Sequence, residues 1–335
     1  MGNIKFSKPI LVTGGAGYIG SHTVQDLIRT GASVVVLDNL STGHREAVQT
    51  EHFYQGDIAD TALVQHIIKE HLIQSVIHFA AKSLVGESFA HPELYFYENT
   101  VKSFVFLETI MKTGVKHVVF SSSAAVYGIP PNIHIPEETR LAPINPYGAS
   151  KRMIEEYLEW MGKVHGLGWA TLRYFNAAGA SIDGSLGEDH KNETHLIPLV
   201  MQTTLGRQEN LSVFGTDYAT PDGTCIRDYV HVIDLANAHI LALNALENGM
   251  PGRAFNVGTG NGASVMEIIK ASEKITGHTL AVKYEERRAG DPPILVADST
   301  LIKGMMGWEP KYSNLETILA SAWFWHSTHP DGYRQ

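Results

Sequence analysis

Residues 9–20, PILVTGGAGYIG, decide the fold. Ile10, Leu11 and Val12 form a short, wholly apolar run of the kind found in strands covered on both faces of a parallel sheet. The glycine cluster follows at once, and His22, Val24, Leu27 and Ile28 then mark a helical pattern. Strand, glycine turn and helix in this order put backbone N–H groups and a helix N-terminus against a diphosphate. Gly15, Gly17 and Gly20 fit G-x-G-x-x-G, while Gly14, Gly17 and Gly20 fit G-x-x-G-x-x-G. Either match alone is weak, but a second apolar strand, Ser33 to Leu37, runs into Asp38 about 20 residues on, which is the expected context. A carboxylate there accepts from the hydroxyls of an adenosine ribose and repels a 2′-phosphate, so the spacing points to NAD rather than NADP.

Outward from this unit the chain alternates. Phe53 to Gln55, a helix around Ala62 to His71, a strand Ser75 to Phe79, a long helix from Pro92 to Lys112 and a strand His117 to Ser121 continue a βαβ rhythm. The fold class is therefore α/β, a doubly wound parallel sheet of the Rossmann type, whose ligands bind outside the carboxyl ends of the strands. Those ends carry suitable chemistry. Asp57 and Ile58 are placed to flank an adenine, Phe79, Ala80 and Ala81 offer small residues and backbone, and Ser121, Ser122 and Ser123 close the fifth strand with hydroxyls.

Some two dozen residues later comes Tyr147-Gly148-Ala149-Ser150-Lys151, at a helix start. Positions i and i+4 of a helix lie on one face, about 5–6 Å apart, so the lysine charge favours the phenolate. A useful base near neutrality needs the tyrosine pKa lowered by roughly three units from about 10. One lysine near the surface is too little, and an oxidised nicotinamide supplies the remainder.

At 335 residues, 44% apolar and 18% charged, the chain is globular and long enough for two domains, or one with a lobe. The net charge of −9, with both signs interspersed, argues against nucleic acid or an anionic membrane as the main partner. Cys225 is the single cysteine, which rules out an intrachain disulfide; with no apolar signal region at the start, a cytoplasmic setting is expected. No apolar run approaches the roughly 20 residues of a membrane span. The 17 histidines show no H-E-x-x-H or comparable spacing, so no metal is expected.

T-G-G-A-G-Y-I-G, D-N-L-S-T-G, G-D-I, H-F-A-A, S-S-S-A-A-V-Y-G, P-Y-G-A-S-K and R-Y-F-N-A-A-G-A, in this order, resemble the extended short-chain dehydrogenase/reductase superfamily and, within it, the UDP-glucose 4-epimerase family, from about residue 9 to 333. The resemblance implies an isomerase that interconverts UDP-galactose and UDP-glucose through a bound 4-keto sugar. Tyr147, Lys151 and Ser123 are then catalytic. The implied cofactor set for NAD is Gly14, Gly17, Tyr18, Ile19, Gly20, Asp38, Asn39, Thr42, Gly43, Asp57, Ile58, Phe79, Ala80, Ala81, Asn99, Tyr147, Lys151 and Tyr174.

The second half of the chain holds the substrate segments. A strand Ala170 to Phe175 ends in Asn176, and a long irregular stretch through Glu188, Asp189 and His195 follows, a candidate substrate loop. Arg227 and Arg288 suit a diphosphate, Phe214 a stacked pyrimidine and Asp291 the ribose hydroxyls. The resemblance carries these over as the UDP clamp, with Ser123, Tyr147, Asn176, Leu196, Tyr229 and Leu295. It also implies residues 1–176 as the NAD domain and 177–335 as the UDP-sugar domain, with about 232–257 returning to the first. Relatives often dimerise through the helix carrying Tyr147 and the one before Ser121, and the Met153, Tyr157, Leu158 and Met161 stripe suits this or packing on the sheet.

Three positions depart from the family. Ser83 stands where many members have a lysine to the NAD pyrophosphate, with Lys82 one residue early. His195 replaces a common asparagine and ranks low as a ligand. Leu295 occupies the place where family members differ between a bulky tyrosine and smaller residues that leave room for an N-acetyl group, so additional activity on UDP-N-acetylglucosamine and UDP-N-acetylgalactosamine is expected. Among rivals, a 4,6-dehydratase needs an Asp-Glu pair where Ala124 and Ala125 stand, and an NAD-sensing regulator has usually lost Tyr147 or Lys151. Enzymes acting on UDP-glucuronate remain the alternative.

Overall fold

The computed structural model describes residues 4–288 and 291–333, so Ala289 and Gly290 of the RRAGDPP segment lie outside the described residues. Seven strands form a wholly parallel sheet in the order β11-β7-β5-β4-β1-β2-β3. They are β1 (Ile10–Thr13), β2 (Val34–Asp38), β3 (Phe53–Gln55), β4 (Ser75–His78), β5 (His117–Ser121), β7 (Gly168–Tyr174) and β11 (Arg253–Val257), with the two-residue β6 (His134–Ile135) elsewhere. The strand order reverses between β1 and β4, the point where such sheets open a crevice for ligands.

Alternation along β1 explains the two-layered cover. Ile10 and Val12 point into a core shared with Val24 and Leu27 of α1 (Tyr18–Arg29) and with Leu235 and Leu243 of α8 (Val232–Glu247). Leu11 points to the opposite core, with Val64 and Ile67 of α2 (Thr61–His71), Phe106 and Ile110 of α5 (Lys102–Lys112) and Ile154 and Leu158 of α6 (Pro146–His165). Each fully buried aliphatic side chain contributes about 1.5–3 kcal/mol. Residues 232–257 thus place α8 against α1 and β11 at the edge of the large sheet beside β7.

The rest of the second half builds a smaller layer. β10 (Ile226–His231) pairs with β8 (Asn176–Ala178), β12 (Gly262–Ser264) and β14 (Ile294–Ala297), and β9 (Leu211–Phe214) pairs with β13 (Val282–Glu285). Val200 and Met201 of α7 (Leu196–Thr204), Ile268 and Ile269 of α9 (Val265–Thr276), and Leu319 of α11 (Leu315–Thr328) fill its core; α10 (Thr300–Met306) lies between α9 and α11 in the chain.

Local boundaries differ from expectation in three places. The second strand runs Val34–Asp38, so Asp38 is its last residue. The helix expected over 92–112 is α4 (Pro92–Tyr95), a π-helical turn at Phe96–Val101, and α5, and an unexpected short helix, α3 (Val85–Ala90), precedes it. β7 ends at Tyr174 and Asn176 opens β8, because Tyr229 of β10 pairs with it. Of the expected stripe on α6, Leu158 is buried in the core, Tyr157 stacks on Phe104 at 4.6 Å, and Met153 is exposed. Among the described residues no helix is long and apolar enough to cross a membrane.

Candidate active site

A cleft of about 1530 Å³ runs along the carboxyl ends of the large sheet and into the smaller layer. At one end is the glycine turn. Gly14 has φ +71°, and a Cβ there would lie 2.6 Å from the Ala80 nitrogen, while one on Gly20 would lie 2.1 Å from the Gly14 oxygen. Glycine at both keeps a backbone cradle open at the start of α1, into which a dinucleotide diphosphate fits. Asp38 reaches the same end: one carboxylate oxygen accepts from Ala16 N–H at 2.9 Å and the other from Leu40 N–H at 2.8 Å. Burial raises its pKa, and those two donors act in the opposite direction.

Tyr18, Ile19, Asn39, Thr42, Asp57, Ile58, Phe79, Ala80, Ala81 and Tyr174 line this part of the cleft with Lys82 and Ser83. Gly43 and Asn99 do not. A Cβ on Gly43 would lie 2.7 Å from the Ala16 backbone, so that glycine lets the loop close on the glycine turn. Asn99, fully buried at the π-helical turn, accepts from Lys82 N–H at 2.8 Å and donates to the Lys82 carbonyl and to Ser150 Oγ. It braces the exit of β4 against α6. Lys102, unnoticed in the sequence, donates to Asp57 at 2.7 Å and Glu98 at 2.8 Å; although burial opposes it, the ammonium holds Asp57 below its usual range.

Tyr147 and Lys151 enter from the first turns of α6. Asn145 caps the helix by accepting from Gly148 N–H at 2.7 Å, and Pro146 occupies its first position. Gly148 permits the close approach: a Cβ there would lie 2.4 Å from the Ala125 oxygen. Tyr147 and Ser123 are 7% and 9% exposed, and both line the cleft. Lys151 is not near the surface, as its sequence implied; it is 2% exposed, donates to the Ser121 carbonyl at 2.8 Å, and lies 5.8 Å from the centre of the Tyr147 ring.

In the protein alone the phenol is not lowered, and the expected lowering, which called for an oxidised nicotinamide beside the lysine, is left to the cofactor. Burial raises the Tyr147 pKa and the Ser123 hydroxyl pulls against it. Burial likewise lowers Lys151 to about 7, opposed by the Glu155 carboxylate. Both shifts have one cause, the loss of water around a charge, and both are reversed by bringing an opposite or complementary charge into the cleft. Glu155, one turn beyond Lys151 on the same face, forms a buried pair with Arg173 at 2.6 Å and accepts from Ser122. Its position at i+8 from Tyr147 was the available signal.

At the far end, Asn176, Leu196, Phe214, Arg227, Tyr229, Arg288, Asp291 and Leu295 all line the cleft. Arg227 is paired with Asp291, and the Arg288 guanidinium lies 4.1 Å from the centre of the Phe214 ring. His195 precedes Leu196 and also faces the cleft, and the irregular stretch behind it gathers Glu188, His190 and Glu193 around it. No local spacing rule foretold that gathering.

Comparison with known proteins agrees with this geometry. The model of the NAD dependent epimerase/dehydratase family matches residues 10–258. The UDP-glucose 4-epimerase of Streptococcus mutans is 50% identical over 97% of this chain and 98% of its own, and that of Halalkalibacterium halodurans is 50% identical over 97% of each. The crystal structure of UDP-glucose 4-epimerase from Brucella ovis in complex with NAD superposes with a TM-score of 0.93 at 46% identity, covering 95% of this chain and 98% of that one. With the glycine cradle, Asp38 and the Tyr147–Lys151 pair opening on one cleft, the chain belongs to the NAD-dependent epimerase/dehydratase family.

Proposed function

We propose that the protein is an isomerase that interconverts UDP-galactose and UDP-glucose by inverting C4 of the sugar, with NAD as a resident cofactor. The observation that carries this reading is the continuity of the cleft from the glycine cradle and Asp38, past Tyr147, to Arg227 and Phe214. A dinucleotide and a nucleotide sugar laid in it from opposite ends meet at the phenol.

Bound NAD supplies the acceptor for the C4 hydride and returns that hydride, so no net oxidation occurs. Tyr147 takes the proton of the C4 hydroxyl, with Ser123 as hydrogen-bond relay, leaving a 4-keto sugar in the cleft. Lys151 favours the phenolate by its charge. Arg227 and Arg288 hold the diphosphate while the sugar turns about its phosphate link, and Tyr147 then gives the proton back to O4 on the opposite face. Most binding energy therefore belongs on the nucleotide, since the sugar must stay free to turn.

We assign residues 1–176, joined by 232–257, to the cofactor and the remainder to the nucleotide sugar. A cytoplasmic setting suits the free, buried thiol of Cys225. Tyr97 and Val101 at the π-helical turn and Met153 and Trp160 on α6 are large exposed apolar residues that suit a homodimer; light scattering that gives the monomer mass at micromolar protein rules this out. Leu295 leans on Ala124, Val126 and Tyr127 at the cleft wall, and its volume leaves space for an N-acetyl group. UDP-N-acetylglucosamine is therefore a second substrate, and no conversion of it by fully active enzyme ends that reading.

The decisive test is to incubate purified protein with UDP-galactose and no added cofactor, follow UDP-glucose, and assay the denatured protein for NAD. Turnover with bound NAD is expected. Bound NAD with turnover of UDP-glucuronate but not UDP-galactose transfers the assignment to the carboxylate substrate.

A further inference from the structure

Glu188, His190, Glu193 and His195 come from one short segment of the irregular stretch, and one donor atom from each lies within 4.8 Å of the others. His190 Nδ1 stands 3.5 Å from Glu188 Oε1 and 3.2 Å from Glu193 Oε2. His195 Nδ1 stands 2.5 Å from Glu188 Oε1 and 3.8 Å from Glu193 Oε1. Nitrogen and oxygen donors about 2.0–2.1 Å from a tetrahedral zinc ion are about 3.4 Å from one another. The four imidazole–carboxylate separations, 2.5 to 3.8 Å, bracket that edge, and because Glu193 meets the two rings through different oxygens, side-chain rotation brings one donor of each residue onto a common ion.

A second observation lies behind the cluster. A small cavity of about 40 Å³ is lined by Glu188, His190 and Glu193 and, from the C-terminal segment, by His326 and His329. It has room for a water on the ion, which needs about 10–15 Å³. The Glu188 and Glu193 side chains are only 3% and 5% exposed and are paired with the His190 and His195 rings, so all four donors already face one another in a place withdrawn from water. Two imidazoles with two carboxylates favour zinc or a similar transition ion over magnesium or calcium, which prefer all-oxygen sites.

We propose that Glu188, His190, Glu193 and His195 form a binding site for a divalent transition-metal ion of the zinc type, which fastens the stretch that leads into the substrate wall at Leu196. The site is structural: its four ligands close one short loop, and it lies outside the Tyr147–Lys151–Ser123 chemistry. It holds whatever sugar nucleotide the cleft takes, so its test is independent of activity.

Tag-free protein with its bound cofactor, stripped of metal by chelator and desalted, is titrated with Zn²⁺ by calorimetry and with Co²⁺ by visible absorption. One equivalent of Zn²⁺ bound more tightly than about 10 μM, and the visible bands of four-coordinate cobalt, are expected. His190→Gln and, separately, Glu193→Gln weaken binding at least about tenfold while the metal-free melting temperature stays within a few degrees. The surface cluster of His52, His66 and His71 is the control, because a His66→Gln and His71→Gln double variant leaves the affinity unchanged. Binding weaker than about 10 μM, or loss of binding only in that control, overturns the site. If His190→Gln does not fold, His195→Asn replaces it under the same criteria.

Discussion

On the cofactor wall, Asp38 ends a buried strand and both its carboxylate oxygens are held by backbone N–H groups of Ala16 and Leu40. On the substrate wall, Arg227 is held by a side chain, Asp291, and Arg288 rests on the face of Phe214. Backbone donors in the short turns that follow β1 and β2 stay where they are when a ligand arrives. Side-chain partners must be exchanged: in the proposed binding mode an arginine that grips a diphosphate loosens its hold on Asp291 or Phe214, which would then be free to meet ribose and pyrimidine. The fixed wall suits a group that stays, and the exchanging wall suits a group that enters, turns and leaves.

The sharpest way to break this contrast is at the point where the walls meet. Tyr147→Phe removes the proton acceptor while keeping the ring, and kcat falls by about 10²–10⁴ with NAD content and UDP affinity retained. A variant that loses bound NAD along with activity would show that the phenol holds the cofactor rather than performing the proton transfer.

Lys151 gives the next largest effect, read as stability against pH in NAD-free protein. Its folded pKa is about 7, depressed by burial, against about 10.4 in the unfolded chain. Below pH 7 both states are protonated, and the full cost of a buried ammonium is present. Between about pH 7 and 10.4 the unfolded state binds more protons, so that cost, on the order of a few kcal/mol, is progressively relieved. Urea midpoints measured across this window therefore move in favour of wild type relative to Lys151→Met as pH rises. A flat difference would mean that Lys151 stays charged in the folded protein.

These two residues also mark how far the sequence could be read. The glycine turn, Asp38 and the Tyr147–Lys151 pair are legible because each depends on spacing within one strand, turn or helix. The burial of Lys151 is not, because its partner is the carbonyl of Ser121, far away in the chain. The hydrogen bonds of Asn99 to Lys82 and Ser150 are not legible either, because the π-helical turn joins it to residues 17 and 51 positions away. Arg227, Phe214 and Arg288 came from the family resemblance, since three segments brought together by tertiary packing leave no local period. The gathering of Glu188 with His195 was hidden for the same reason: an irregular stretch has no repeat from which a shared face can be deduced.

The two arginines refine the comparison within the substrate wall. Arg227 is largely buried, with an 11% exposed side chain, and its replacement by alanine leaves Asp291 without its cation. A charge-assisted hydrogen bond of about 1.5–3 kcal/mol is lost, so affinity for UDP falls about 10- to 150-fold. Arg288 is exposed, so its pairing with a phosphate is a surface ion pair of about 0.2–1 kcal/mol, and Arg288→Ala costs only a few-fold. Salt separates them further: raising ionic strength screens the exposed arginine and leaves the buried one largely intact. Titration of UDP into each variant at low and high salt checks this. Equal losses in both, with equal salt dependence, would mean that ligand binding buries Arg288 as deeply as Arg227, and that the outer part of the substrate wall closes over the nucleotide instead of merely exchanging partners with it.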